Sequence, residues 1–149
     1  MGWVRDRRVV TALAAAYVTG LVVLVASPWG WELNRLTVRL YDFFRNDWSV
    51  APRWMLPEHY GVLLNVLLFL PVGVLLVTVA GRRWRSATVA SFVTSVVIEL
   101  AQWRWLEREG DWTDVVANTL GGLIGAIVVS RLTPDLPPRA PRAERARRR

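Results

Sequence analysis

The side chains best suited to binding or proton transfer collect at the ends of two long apolar stretches. Glu99 and Gln102 are three residues apart near the end of one stretch, so a helix would place both on one face. Asp111, Asp114 and Asn118 follow the spacing i, i+3, i+7 at the start of the next stretch, again on one helix face. Carboxylates and carboxamides on two adjoining helix ends predict a polar site where the two helices meet.

A third apolar stretch and the turn between the first two supply further polar groups. Asn65 lies about 7 Å below Tyr60 if the chain rises 1.5 Å per residue as a helix. Arg104 and Arg108 lie in or beside the turn, where a guanidinium can form paired hydrogen bonds with a charged headgroup. We call the expected site the polar cluster, and its candidate ligand-binding residues are Asn65, Glu99, Gln102, Arg108, Asp111, Asp114 and Asn118, with Arg104 as the alternative guanidinium.

Each member of the polar cluster also has a structural interpretation. Asp111 is well placed as an N-cap with Asp114 at the third helical position, a pairing that a helix dipole favours. Asn65 and Asn118 could bond one helix to another. Glu99 could form a salt bridge to an arginine of the turn, but a carboxylate on an otherwise uncharged stretch more often marks a functional site.

The composition excludes several kinds of catalytic site. The chain has no cysteine and a single histidine, so thiolate nucleophiles, Cys-built metal sites and His-rich metal clusters are excluded. We expect no metal and no cofactor, and the sequence shows no serine nucleophile paired with a base. Glu99 and Asp114 could still act as an acid and a base, so enzymatic activity stays open, although a binding role is favoured.

Four long apolar blocks position these residues. The chain has 149 residues, of which 53% are hydrophobic, and a helix needs about 20 apolar residues to cross a bilayer. The sequence therefore predicts an all-α polytopic membrane protein, a bundle of four transmembrane helices over residues 1–132, with blocks at 9–26, 60–80, 86–99 and 112–130. The first block is too long for a typical signal-peptide core and is interpreted as an uncleaved anchor.

Small residues predict where the helices pack closely. Stripes of the small-xxx-small type let two backbones approach in a membrane, and two such helix-packing ridges are present: Ala117, Gly121 and Gly125 on the fourth block, and Ala12, Ala16 and Gly20 on the first. Pro71 and Gly73 predict a kink in the second block, and Gly81 predicts the end of its helix.

Arginine and tryptophan predict the orientation. All 19 basic residues are arginine, and thirteen of them flank one side of the four blocks against six on the other. The positive-inside rule then puts both termini in the cytoplasm and residues 27–59 outside, in a multi-pass membrane protein. All nine tryptophans fall at or beyond block ends, as expected of an interfacial belt.

Two further segments have distinctive patterns. Leu33, Leu36, Leu40 and the two phenylalanines at 43 and 44 recur at helical spacing opposite Arg35 and Arg39. They predict an amphipathic helix that lies on the membrane surface or packs on the bundle. Residues 133–149 are rich in arginine and proline, which predicts a disordered cytoplasmic tail held by anionic lipid rather than by nucleic acid.

Three motifs in this order resemble the VanZ-like family of small bacterial membrane proteins. They are NVLLFLPVG from Asn65, IELAQ from Ile98 and R-x-x-D-x-x-D-V-V-A-N-T-L-G-G from Arg108, within a core of residues 60–127. The resemblance implies a four-helix protein of the bacterial envelope, located in the cytoplasmic membrane, and the family's polar motif positions fall on the candidate ligand-binding residues. Some members are linked to resistance against teicoplanin-type glycopeptide antibiotics.

Three functions remain open from the sequence. The favoured one is a non-enzymatic protein that binds a lipid-linked cell-wall precursor or a lipid-anchored glycopeptide at the polar cluster. The alternatives are a membrane-embedded hydrolase or transferase acting on a lipid-linked headgroup, and a transporter or flippase subunit. The oligomeric state cannot be read from the sequence.

Overall fold

A computed structural model of the chain describes residues 7–27, 30–105 and 111–133. The described residues form helices and connecting segments with no strand, which confirms the all-α prediction. The elements in chain order are α1 (Arg7–Ala26), α2 (Gly30–Asp42), a π-helical turn (Phe43–Asp47), α3 (Pro57–Thr78), α4 (Trp84–Trp105) and α5 (Trp112–Leu132). Arg108 and the predicted tail beyond Thr133 lie outside the described residues.

Four helices, α1, α3, α4 and α5, are long and apolar enough to cross a membrane. At 1.5 Å per residue each covers the roughly 30 Å of a hydrocarbon core. The predicted third block is longer as a helix than as an apolar run, since α4 continues through Gln102 to Trp105. Gly81 has a φ of 65° and follows α3, as expected of a residue that ends a helix.

Close backbone contact between α3 and α5 forms the centre of the bundle. A Cβ atom added to Gly121 would collide with the carbonyl oxygen of Val66, and one on Gly125 would collide with that of Leu70. Gly73 of α3 lies equally close to the backbone of Gly122. The ridge of Ala117, Gly121 and Gly125 therefore lies against α3, and the two helices run parallel.

The second predicted ridge of small residues, on α1, does not face the other helices. Ala12, Ala16 and Gly20 are exposed on α1, and a Cβ on Gly20 would meet no atom within 4 Å. The face that α1 turns to the bundle carries Ala14 and Leu21, each 9% exposed. The small residues of α1 are thus on the surface of a single copy, between about a third and a half of a turn away from the face that packs.

Tyr17 links α1 to α3 close to Pro71. Pro71 has no N–H, so the carbonyl of Leu67 loses its donor within α3. The Tyr17 hydroxyl donates to the adjacent carbonyl of Leu68. The hydrogen bond of Tyr17 thus joins α1 to α3 one residue beyond the orphaned carbonyl, and α3 continues past the proline to Thr78.

The predicted loop helix is present as α2, and one of its faces packs on α3. Thr37 lies 3.7 Å from the position of a Cβ on Gly61, and Tyr41 meets Tyr60 edge to face with 6.3 Å between ring centroids. The π-helical turn then brings Phe44 into a stacked contact with Tyr60 at 5.9 Å.

The glycine contact predicts an unequal response to the same substitution. Gly121→Ala should lower the free energy of unfolding in detergent by about 1–3 kcal/mol, because the new methyl group must displace the backbone of α3. Gly20→Ala is the matched control and should change it by less than about 0.5 kcal/mol. Equal effects of the two substitutions would contradict the α3–α5 contact.

Candidate functional site

The polar residues of α3, α4 and α5 meet where α4 ends and α5 begins, which we call the α4–α5 end of the bundle. Asn65 of α3 donates from Nδ2 to Asp114 Oδ1 of α5 over 2.7 Å, and the pair is half-buried. Because α3 and α5 are parallel and touch through glycine, the two side chains lie at the same level. A short bond to a carboxylate in such surroundings is charge-assisted and resists separation of the helices.

Glu99 joins the end of α4 to the start of α5. Its Oε2 atom accepts a hydrogen bond from the backbone N–H of Asp111 over 3.1 Å. That N–H precedes the first turn of α5, where no intrahelical acceptor is present. Glu99 and Asp114 each take part in a further interaction, so neither carboxylate is unpartnered.

Asp111 is the N-cap of α5, as its structural interpretation predicts. Its Oδ1 atom accepts from the backbone N–H of Thr113 over 2.8 Å. Hydrogen bonds from the Thr113 side chain and backbone lower the pKa of the Asp111 carboxyl below its usual value, against a smaller opposing effect of burial. The cap is fully formed above the ordinary pKa of aspartate and is lost as pH falls through the lowered value.

Asn118 lies deeper, between α4 and α5. Its Nδ2 atom donates to Ser95 Oγ over 2.9 Å, and the two residues are 5% and 0% exposed. Among the described residues, Asn118 Oδ1 and Ser91 Oγ are buried without a hydrogen-bond partner. Ser91, Ser95 and Glu99 are four residues apart on α4, so they continue the polar face of that helix towards the bundle interior.

Ser91 and Ser95 are the polar residues that the sequence analysis missed. The four-residue spacing that ends at Glu99 could have indicated them, but serine is common where membrane helices pack closely. Ser91 lies at such a close helix contact, since its Oγ occupies the space that a side chain on Gly122 would need.

Gln102 is a predicted member of the polar cluster, but its hydrogen bond leads to α1. It is 8% exposed, and its Nε2 atom donates to the carbonyl oxygen of Val25 over 3.3 Å. Val25 lies in the last turn of α1, where carbonyls have no intrahelical donor. The hydrogen bond of Gln102 therefore ties α1 to α4. Arg104 is exposed, and Arg108 lies outside the described residues.

A groove of about 130 Å³ opens on the side of the bundle between the last turns of α4 and the first turns of α5. Its walls are apolar and aromatic, while Glu99 and Asp111 provide carboxylates. The apolar wall residues are Val96, Leu100, Trp103, Trp112 and Val115. Within the described residues, no three acidic or histidine side chains gather as a metal ion would require.

Comparison with known proteins shows that a family model matches most of the chain. The family model described as VanZ/LLP1 matches residues 10–133. The match includes α1 and α2, whereas the sequence motifs cover only the region from α3 to α5. No curated protein and no solved structure matches the chain.

The bond between Asn65 and Asp114 can be measured with a double-mutant cycle. Asn65→Ala and Asp114→Ala should show a coupling of about 1 kcal/mol in the free energy of unfolding, because each substitution removes the same hydrogen bond. The control cycle pairs Asn65→Ala with Thr78→Ala, about 20 Å away along α3, and should be additive. Additivity in both cycles would show that the bond contributes nothing.

Proposed function

The chain belongs to the VanZ/LLP1 family, which confirms the resemblance seen in its motifs, and we propose that it is a binding protein of the bacterial cell envelope. Its ligand is a lipid-linked cell-wall precursor or a lipid-anchored glycopeptide, bound in the outer leaflet without chemical conversion. By holding this ligand it contributes to resistance against teicoplanin-type antibiotics. The observation that carries the proposal is the meeting of Asn65, Glu99, Asp111 and Asp114 at one end of the bundle.

The depth of these residues suits a headgroup. At 1.5 Å per residue, Glu99 lies about 9 Å from the end of α4 and Asn65 about 12 Å from the start of α3. Tryptophans mark the membrane surface just above this level, since the indole ring prefers the interface between lipid and water. Five of them at this end are at least 63% exposed: Trp48, Trp54, Trp103, Trp105 and Trp112.

The arginine asymmetry supports an orientation with this end outside and both termini in the cytoplasm. In that orientation α2 lies at the outer surface. Leu36 and Phe43 are 42% and 39% exposed beside the face that packs on α3, so they are available to lipid. The exposed Glu32 and Arg35, 3.7 Å apart, belong to the polar face.

Binding is favoured over catalysis and transport by the contacts of the polar residues. Both carboxylates that catalysis would use, Glu99 and Asp114, accept hydrogen bonds that join helices. A transporter would need polar groups that continue to the other end of the bundle. There the described chain has an apolar core instead, with Val77, Ala87, Ala126 and Val129 packed together.

The orientation predicts which sites an impermeant reagent can reach. The chain has no cysteine of its own, so labelling of a single introduced cysteine measures the accessibility of that position alone. Asp47→Cys should react with an impermeant thiol reagent in intact cells, because Asp47 is exposed and precedes α3. Ala140→Cys should react only after lysis. The reverse pattern would contradict an outer-leaflet site.

The binding function predicts that conservative changes in the site abolish activity without unfolding the protein. Glu99→Gln and Asp114→Asn should each weaken ligand binding by roughly 10- to 100-fold, because charge-assisted hydrogen bonds contribute about 1.5–3 kcal/mol. Arg108→Lys should fail as well, since lysine cannot form the paired bonds of a guanidinium. The measurements are teicoplanin susceptibility of cells and lipid species retained in native mass spectrometry.

Glu58→Gln is the matched control, because Glu58 is an exposed carboxylate in the first turn of α3 at the same end. It should retain both ligand and resistance. If Glu99→Gln and Asp114→Asn behave like this control, or lose function only together with protein level and melting temperature, the polar cluster is structural.

A further inference from the structure

The groove beside Glu99 opens sideways. Leu100, Trp103 and Trp112 are 58%, 65% and 73% exposed, so they form its rim, whereas Val115 is 3% exposed and forms its floor. These residues lie on the two helices that would face lipid at this level. A hydrocarbon chain in the bilayer can therefore enter between α4 and α5 without passing through water.

The size of the groove limits what it can hold. Its volume is about 130 Å³, and a protein cavity of about 150 Å³ holds one benzene molecule. Pockets for whole drug-sized ligands are about 300–1,000 Å³. The groove therefore has room for a segment of one hydrocarbon chain, and the headgroup must lie outside it.

The charges at the groove limit what the headgroup can be. Among the described residues that line it, Glu99 and Asp111 are the charged ones, and both are acidic. The Asp111 carboxyl is ionised at neutral pH, since its pKa is lowered by the hydrogen bonds from Thr113 and even an ordinary aspartate is charged there. The exposed Arg104 belongs to the same helix as Glu99 but is not among the lining residues. Carboxylates beside an apolar groove attract an ammonium group and repel a phosphate.

We propose that the groove between α4 and α5 binds the single hydrocarbon chain of an amphiphile whose headgroup carries an ammonium group, which Glu99 and Asp111 receive. The amphiphile enters laterally from the outer leaflet. This assignment rests on the proposed binding function and narrows it: of the two ligand types, an amine-bearing lipidated molecule fits the groove, and a lipid joined through phosphate does not.

The test uses two probes with the same chain, dodecylamine and dodecyl phosphate, titrated against the full-length protein in detergent and counted by native mass spectrometry. The wild-type protein should bind the amine at least about tenfold more tightly than the phosphate.

Val96→Phe should lower the affinity for the amine by about tenfold or more, because the ring fills the groove. Val97→Phe is the matched control, since the neighbouring Val97 is 58% exposed and does not line the groove; it should change the affinity less than about twofold.

A third variant distinguishes the contribution of the headgroup to binding from that of the hydrocarbon chain. Glu99→Gln should remove most of the preference for the amine while a chain still binds. Equal binding of the two probes by the wild-type protein, or equal effects of Val96→Phe and Val97→Phe, would overturn the assignment. The binding function is judged separately by teicoplanin susceptibility. A further outcome is that Val96→Phe keeps resistance while Glu99→Gln loses it. That result would contradict hydrocarbon binding in the groove but would still support ligand binding at the polar cluster.

Discussion

The contact between the backbones of α3 and α5 is the constraint on which the rest of the structure depends. Gly121 and Gly125 present only hydrogen atoms to the carbonyls of Val66 and Leu70, an approach that also suits weak Cα–H···O bonds. In a bilayer no hydrophobic force pulls helices together, so such close packing must provide much of the association. It also fixes the register, and the register places Asn65 beside Asp114.

Given that register, α4 completes the site at one end and closes the bundle at the other. Its face towards α5 changes along its length from Ala87, which is fully buried in an apolar core, through Ser91 and Ser95 to Glu99. Polar groups gain most from a partner where the surroundings are least polar, so Ser95 pairs with Asn118 deep in the bundle. The bundle thus has one polar end and one apolar end.

The sequence predicted the features that depend on the membrane or on helical spacing. The four spans follow from apolar length, and the polar cluster follows from the positions of Glu99, Asp111 and Asp114. The sequence could not indicate which face of α1 packs, because a membrane helix is apolar all round. The sequence therefore placed Gln102 in the polar cluster, whereas its hydrogen bond leads to Val25 of α1. Gly73 was interpreted as part of a kink, but its lack of a side chain is needed for the approach of α5.

Asp111 connects the stability of the fold to the chemistry of the site. It begins α5 as a cap, its backbone N–H bonds Glu99, and its carboxylate lines the groove. The cap requires an ionised carboxyl, and the hydrogen bonds from Thr113 that lower its pKa maintain this charge as the medium is acidified. The charge that the groove presents at Asp111 is thus a consequence of how α5 begins. An amine of ordinary pKa, about 8 to 10, is protonated at all lower pH values, so electrostatic attraction between such a ligand and Asp111 extends from the lowered pKa of the carboxyl up to the pKa of the amine.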